Sequence, residues 1–214
     1  MFDLDNTLAD RAGAVVTWID EFCAAYQLPA DAGPWLLEAD NDGYADRATV
    51  FEAIVDRFSL DESVEELLAA YRRRVVELVR PTDGAASCLT TLRSAGVTLA
   101  IVSNGSSGQQ HAKIDHLGLR ALVDAVVVSG DHDIKKPDRR LFDIAIESCR
   151  FSPPSSGAQD MWMVGDSAVN DVVGPAAIGL RTAWLHRGRA WSHESAAPDL
   201  TLDSLVDLVP ALLG

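Results

Sequence analysis

The side chains of this sequence that could carry out chemistry stand in short polar clusters spaced along the chain. Asp3 and Asp5 lie two residues apart, and Ser103-Asn104, Lys136 and Asp166 follow in that order. The formal net charge is −14, so an anionic substrate would be repelled unless a local cation attracted it. A Mg²⁺ ion held by carboxylates would be such a cation. The clusters are therefore candidates for one metal-assisted site, provided that the fold brings them together.

Apolar segments with the length of buried strands precede the later clusters. They cover residues 97–102, 125–128, 161–164 and 181–185, and helical patterns separate them. Strands that are apolar throughout and alternate with helices indicate a parallel sheet covered on both faces. In such folds the ligand site lies outside the carboxyl ends of the strands. The sequence therefore predicts a Rossmann-like α/β core, with helices on both faces and the polar clusters at one edge of its sheet.

A region with purely helical periodicity separates the first cluster from the others. Apolar residues recur at three- and four-residue spacing in 15–23 and 50–58, and no convincing strand appears before residue 81. We therefore expect an all-helical unit at residues 10–81, inserted into a core formed by residues 1–9 and 82–214. The sequence also predicts a surface loop at 152–157, rich in Ser and Pro, and a terminal helix at 202–213.

The composition excludes several functional classes. Nucleic acids and anionic membranes are bound chiefly through Lys and Arg, and this chain has 32 acidic residues against 18 basic ones. No apolar run approaches the roughly 18–20 residues that a membrane span needs. The three cysteines are widely spaced, which argues against a disulfide framework and a zinc site and suits a reducing compartment. We expect a cytoplasmic monomer or homodimer without nucleic-acid or membrane partners.

Taken in order, the clusters resemble the motifs of the haloacid dehalogenase (HAD) superfamily, in its phosphatase branch with a helical C1-type cap. Asp3-Leu4-Asp5-Asn6-Thr7 is similar to the first motif, D-x-D-x-T, and Ser103 to the Ser or Thr that ends the second strand. Lys136, before a proline, is similar to the third-motif lysine, and residues 165–171 are similar to the fourth motif, GD-x-x-x-x-D. One such motif is weak evidence, but four in order at strand ends are specific. The resemblance covers nearly the whole chain.

The resemblance implies covalent phosphoryl transfer. Asp3 would attack phosphorus and form an aspartyl-phosphate, which splits one difficult step into two. Asp5 would act first as general acid toward the leaving group and then as general base toward water. The implied cofactor is Mg²⁺, held by the Asp3 carboxylate, the Asp5 backbone carbonyl and Asp166.

The remaining motif residues would bind the phosphoryl group or orient its partners. The resemblance implies that the Ser103 hydroxyl and the Asn104 backbone N–H bind phosphoryl oxygens, and that Lys136 neutralises the nucleophile and the transferring group. Asn170 and Asp171 would orient Lys136 and the water around the metal. The implied partner is a small-molecule phosphoester: a sugar phosphate, a phosphoglycolate-like acid or a nucleotide. A cap joined to the core near residues 8–10 and 80–84 would open and close over it.

Other activities of the same superfamily remain open at this point. Its dehalogenases typically lack an acid at the position of Asp5 and the GD-type fourth motif, and this chain has both. A phosphomutase shares all four motifs. A catalytically impaired binding protein is a further alternative, because only Met1 and Phe2 precede Asp3 where the family has a strand of about five residues. A start codon upstream of Met1 is the explanation we expect for that short segment.

Overall fold

The computed structural model describes residues 1–149, 161–194 and 196–214, which form two compact units. The first unit comprises Met1–Asp10 and Pro81–Gly214, and the second comprises Arg11–Arg80. The loop predicted at 152–157 lies outside the described residues. Within them, no helix has the length and the apolar character that crossing a bilayer requires.

The apolar segments of the first unit form parallel strands, as predicted. Strands β1 and β2 pair with each other, and β3, β4 and β5 pair in that order. All four residues of β1 are buried, and because alternate side chains point to opposite faces, both faces of the sheet are covered there. The predicted α/β class with a parallel sheet is therefore confirmed. The strands are β1 (Ala100–Ser103), β2 (Ala125–Val128), β3 (Trp162–Gly165), β4 (Arg181–Leu185) and β5 (Leu200–Leu202).

Residues 1–3 lie between β1 and β3 and join the two groups of strands into one sheet. Phe2 forms parallel bridges with Ile101 and with Val164. Its N–H donates to the Ala100 carbonyl at 2.7 Å, and its own carbonyl accepts from the Val102 N–H at 2.8 Å. The Asp3 N–H donates to the Val164 carbonyl at 2.9 Å. The backbone polar groups of this short segment are therefore paired on both sides, which a buried central position requires.

The second unit consists of helices alone, as the periodicity of its sequence predicts. Its core is an aromatic cluster in which Trp18 packs on Phe22 and Tyr71, with ring centroids 4.9 and 4.8 Å apart. Ser63 begins the last helix with a reciprocal capping box to Glu66, which satisfies backbone N–H groups that would otherwise lack partners. The helices are α1 (Arg11–Ala25), α2 (Ala32–Asp40), α3 (Arg47–Phe58) and α4 (Val64–Leu78). The role of this unit as a cap stays a prediction.

A buried ion cluster holds the second unit together. Asp40 accepts from Arg11 at 2.6 and 3.0 Å and from Arg47 at 2.5 Å, and its side chain is 7% exposed. Burial alone would raise the pKa of Asp40, but hydrogen bonds and charge from Arg11 and Arg47 outweigh burial and hold it below its ordinary value. The carboxylate form is therefore stabilised in the folded unit, and its removal would leave two guanidinium groups without this anion.

We expect Asp40→Ala to lower the free energy of unfolding by about 3–5 kcal/mol, because breaking a buried ion pair leaves uncompensated charge. Urea unfolding followed by circular dichroism measures the loss. The matched control is Asp31→Ala, whose partner Arg57 and own side chain are 41% and 68% exposed, and which should cost less than about 1 kcal/mol. The pKa of Asp40 is depressed, so its contribution is complete above the unfolded value of 3.8 and is lost as the pH falls through the lower folded value. Equal stability of the two variants at neutral pH would contradict this assignment.

Five further α-helices surround the sheet in the described part of the first unit. Helix α7 packs Leu141 and Ala145 against Val102 and Val127 of the sheet. Its neighbouring Phe142 contacts Met163 of β3 and Leu180. The helices are α5 (Ala85–Ser94), α6 (Ser107–His116), α7 (Arg139–Ser148), α8 (Gly174–Ala177) and α9 (Leu208–Leu213), with a π-helical segment at Ala168–Val173 and 3₁₀ helices at Leu119–Leu122, Ser129–Asp131 and Leu205–Asp207. The second unit has a further 3₁₀ helix at Asn41–Gly43.

The prediction of one terminal helix over 202–213 was wrong in its first part. Residues Leu200–Leu202 form β5, which pairs with β4 in the register Ala183 opposite Leu200. The helix α9 begins only at Leu208, after a 3₁₀ turn capped by Ser204. Pairing with a distant strand decides the conformation here, because strand preference depends more on the neighbouring chain than on local sequence.

Candidate active site

The carboxyl edge of the sheet brings the polar clusters together. Ser103 is the last residue of β1, and Gly165 is the last of β3, so that Asp166 begins the loop beyond the strand. Asp3 stands at the same edge, since its N–H pairs with Val164. The chain turns immediately afterwards: Asn6 has a positive φ of 62°, which asparagine tolerates better than most residues. Asp3, Ser103 and Asp166 therefore all lie at the carboxyl ends of the strands, where ligand sites occur in folds of this class.

Lys136 connects two of the acids. Its Nζ lies 2.7 Å from Asp3 Oδ1 and 2.7 Å from Asp171 Oδ1, and the residue is 2% exposed. Burial opposes the charged form of this lysine, but the two carboxylates outweigh it and raise its pKa above the ordinary value. The ammonium group is therefore held charged between its two partners.

Three buried carboxylates form a cluster that offers hard oxygen ligands. One carboxylate oxygen each of Asp3, Asp166 and Asp171 lies within 4.8 Å of the others. Burial raises the pKa of Asp3 and of Asp171. Burial, together with the charge of Asp3, raises the pKa of Asp166 to about 6. Carboxylates crowded in this way are stabilised by an added cation, and hard divalent cations such as Mg²⁺ prefer oxygen ligands.

Asp166 also binds two arginines that the sequence analysis did not single out. Its Oδ2 accepts from Arg187 Nη1 and from Arg189 Nη2, each at 3.0 Å. Its backbone carbonyl accepts from Trp184 Nε1 at 2.9 Å. Both arginines follow the carboxyl end of β4. The expectation that polar site residues follow the carboxyl ends of parallel strands would have indicated them, had it been applied to β4. Their guanidinium groups lower the pKa of Asp166 and so partly offset the effect of burial, which raises it.

Asp5 is held by two side chains of α6, Lys113 and Gln110, which were not predicted from the sequence. Lys113 Nζ donates to Asp5 Oδ1 at 2.7 Å and to Oδ2 at 2.8 Å. Gln110 Nε2 donates to Asp5 Oδ2 at 3.0 Å and to Ser103 Oγ at 2.7 Å. Both side chains are buried, each 2% exposed. Their i, i+3 spacing on α6 places them on one helix face. Helix α6 is the next helix after Ser103, and this proximity along the chain is the sequence signal that could have indicated them.

Ser103 and Asn104 are built into the same network. Ser103 is 1% exposed. The Asn104 side chain exchanges two hydrogen bonds with the Lys136 backbone: Nδ2 donates to its carbonyl at 3.0 Å, and Oδ1 accepts from its N–H at 2.8 Å. The loop after β1 is therefore tied to the segment that carries the lysine. The prediction for Asn104 concerned its backbone N–H, and its side chain supplies this additional link.

The last motif positions Asp171 and, less directly, Asn170. Asp171 Oδ2 accepts from the Ser167 N–H at 3.0 Å, and the residue is fully buried. A Cβ on Gly165 would come within 2.3 Å of Asp171 Oδ2, so glycine is required for this close approach. Asn170 is half-buried and donates its backbone N–H to Ser167 Oγ at 3.3 Å. The orienting role of Asn170 stays a prediction.

Comparison with known proteins identifies the family of the chain. Residues 1–185, which include every site residue predicted from the sequence, match the family of haloacid dehalogenase-like hydrolases. The chain is 32% identical over 158 residues to the pyrimidine 5'-nucleotidase YjjG of Escherichia coli (strain K12), an alignment that covers 74% of this chain and 67% of that protein.

Solved structures give the same result. The HAD-hydrolase YfnB of Bacillus subtilis bound to magnesium superimposes with a TM-score of 0.74 at 25% identity, covering 100% of this chain and 97% of that one. A dehalogenase superimposes with a TM-score of 0.73 at 26% identity, covering 100% of this chain and 96% of that one. With its motifs assembled at one edge of a parallel sheet, the chain belongs to the family of haloacid dehalogenase-like hydrolases.

Proposed function

We propose that this protein is a Mg²⁺-dependent phosphatase that hydrolyses a small phosphorylated metabolite through an aspartyl-phosphate on Asp3. The observation that carries the proposal is the pairing of Lys136 Nζ with both Asp3 and Asp171 beside the Asp166 carboxylate. A nucleophilic carboxylate must approach an anionic phosphoryl group, and a fixed ammonium group at 2.7 Å lowers the repulsion between them.

The first half of the proposed reaction forms the covalent intermediate. An Asp3 carboxylate oxygen attacks phosphorus, and the bond from phosphorus to the leaving oxygen breaks. The Asp5 carboxyl group donates a proton to that oxygen, so that an alcohol departs rather than an alkoxide. Lys136 and the Ser103 hydroxyl bind phosphoryl oxygens as charge develops on them.

The second half regenerates the enzyme. A water molecule attacks phosphorus and gives a proton to the Asp5 carboxylate, and the bond between phosphorus and the Asp3 oxygen breaks. Inorganic phosphate is released, and Asp3 is again a free carboxylate. Asp5 therefore loses a proton to the leaving group in the first half and regains one from water in the second half.

The acidic cluster fits a divalent cation. The carboxylates of Asp3 and Asp166 and the backbone carbonyl of Asp5 would hold Mg²⁺, and Asp171 would keep Lys136 in place beside them. When bound, the ion would supply positive charge to the phosphoryl oxygens. The raised pKa of Asp166, about 6, is consistent with a site in which carboxylates favour an added cation.

Phosphoester hydrolysis is favoured over cleavage of a carbon–halogen bond. A halide leaves without protonation, so a dehalogenase needs no acid at the position of Asp5. Here Asp5 is present and is held by Lys113 and Gln110. A pyrimidine nucleotidase among the relatives supports a phosphorylated small molecule as substrate, and a phosphomutase of the same superfamily stays an alternative. The three free cysteines, Cys23, Cys88 and Cys149, support a cytoplasmic location.

The test is hydrolysis of nitrophenyl phosphate by the wild-type chain with and without Mg²⁺. We expect turnover that EDTA abolishes and that added Mg²⁺ restores, together with no release of chloride from chloropropionate. Addition of a phosphorylated sugar as acceptor distinguishes transfer from hydrolysis, because a mutase would form a bisphosphate. Chloride release, or hydrolysis that is unaffected by chelation, would contradict the proposal.

A further inference from the structure

The acid–base residue Asp5 does not stand alone at the sheet edge. Its two carboxylate oxygens accept from Lys113 Nζ at 2.7 and 2.8 Å. The Lys113 side chain is 3% exposed, whereas that of Asp5 is 24% exposed. A lysine this buried is unusual unless it is paired. Helix α6 therefore places a buried ammonium group against the Asp5 carboxylate, part of which stays accessible to solvent.

Gln110 links Asp5 to the predicted phosphoryl-binding residue. Its Nε2 lies 3.0 Å from Asp5 Oδ2, 2.7 Å from Ser103 Oγ and 3.3 Å from the Asn104 carbonyl. An amide nitrogen has two hydrogens to donate, so the two shortest of these contacts can be satisfied together. One side chain therefore fixes the distance between the Asp5 carboxylate and the Ser103 hydroxyl.

Repulsion from a neighbouring carboxylate makes it necessary to hold Asp5 in place. Asp3 lies two residues before it, and the charge of Asp5 acts unfavourably on the ionised Asp3. A carboxylate without its own cation would be driven away from Asp3 and toward solvent. Lys113 opposes that movement from one side, and Gln110 opposes it from the side of Ser103.

We infer that Lys113 and Gln110 are positioning residues that hold Asp5 in line with the leaving group, an inference that rests on the proposed phosphoryl transfer. Neither side chain contacts phosphorus in this role. Lys113 acts through Asp5, so its removal should affect those reactions that need the proton of Asp5 and spare those that do not. Gln110 contacts both Asp5 and Ser103, so its removal should lower both kinds of reaction, and those that need the proton the more.

Leaving groups of different basicity separate these two kinds of reaction. Phenolate is a poor leaving group and needs a proton, whereas dinitrophenolate departs without one. For Lys113→Met we expect kcat/KM with phenyl phosphate to fall about 10- to 100-fold, less than the roughly 10²- to 10⁴-fold that a general acid contributes, because Asp5 itself remains. With dinitrophenyl phosphate kcat/KM should stay within about threefold of wild type, because this constant ends at the first irreversible step, the release of the phenol.

A double variant tests whether Lys113 acts through Asp5. In the Asp5→Asn background, Lys113→Met should cause no further loss with phenyl phosphate, since the group that it positions is already gone. An added loss in the double variant, or an equal loss with both substrates in the single variant, would overturn the inference.

A lysine and a glutamine outside the network supply matched controls. Lys135→Met removes an exposed lysine outside the network, and Gln109→Met makes the same change as Gln110→Met one position earlier on α6. Both controls should match wild type with both substrates. If Lys113→Met does not fold, Gln110→Met, which leaves the ion pair in place, carries the test. It should lower kcat/KM more with phenyl phosphate than with dinitrophenyl phosphate, because Ser103 serves both substrates and the proton of Asp5 serves only the first. Wild-type inactivity on both substrates would overturn the proposed function itself, whereas unchanged variants of an active wild type would overturn only the positioning roles.

Discussion

Asp3→Asn is expected to lower kcat for aryl phosphate hydrolysis by at least about 10⁴-fold, the scale on which removal of a nucleophile acts. An amide oxygen has nearly the shape of the carboxylate and can still accept from Lys136, but it does not form the acyl phosphate. The variant should therefore keep its fold and lose its chemistry. The expected covalent intermediate gives an independent measurement: radiolabelled substrate should mark the wild-type chain in a hydroxylamine-sensitive form and leave the variant unlabelled.

Asp133→Asn is the matched control for that substitution. Asp133 is exposed and has a φ of 54°, a conformation that asparagine adopts readily. Activity and labelling of this variant should equal those of wild type. If Asp3→Asn kept more than about a tenth of the wild-type kcat, Asp3 would not be the nucleophile, because loss of a nucleophile leaves far less residual activity than that.

Lys136→Met is expected to remove activity and also to destabilise the first unit. The substitution leaves Asp3 and Asp171 buried without the ammonium group that both contact at 2.7 Å. Breaking one side of a buried ion pair typically costs about 3–5 kcal/mol. Urea unfolding measures this loss, and Lys135→Met, which removes the exposed neighbour, should change stability by less than about 0.5 kcal/mol.

A second substitution separates the two effects of Lys136→Met. Adding Asp171→Asn removes one uncompensated charge, so at least half of the lost stability should return, because what is restored is charge compensation. Activity should not return, since Asp3 still lacks its cation. Recovery of activity along with stability would show that Lys136 acts only in folding.

The position of the site could be predicted because it depends on a general property of parallel sheets. Ser103 ends one apolar strand and Asp166 follows another, and carboxyl ends of parallel strands meet at one edge. The strands themselves were predictable because burial on both faces makes them apolar throughout. Residues 200–202 were not, because their apolar pattern continues into α9 and only pairing with β4 distinguishes the strand from a helix.

The partners of Asp5 and Asp166 could not be predicted with the same rule alone. Lys113 lies 108 residues from Asp5 along the chain, and a lysine in a polar helix indicates exposure on average. Arg187 and Arg189 follow a strand end, but nothing in their sequence indicates which acid they bind. Such pairings depend on side-chain directions that the sequence does not specify without the fold.

The ion-paired side chains at the carboxyl edge of the sheet include equal numbers of acidic and basic groups. The described residues there include four carboxylates, Asp3, Asp5, Asp166 and Asp171, and four basic partners, Lys113, Lys136, Arg187 and Arg189. When all are ionised these charges cancel, although the chain as a whole carries −14. A divalent cation and a phosphate dianion also cancel each other. Among these eight groups, binding of both ions would leave the sum of charges unchanged, whereas binding of either ion alone would change it by two.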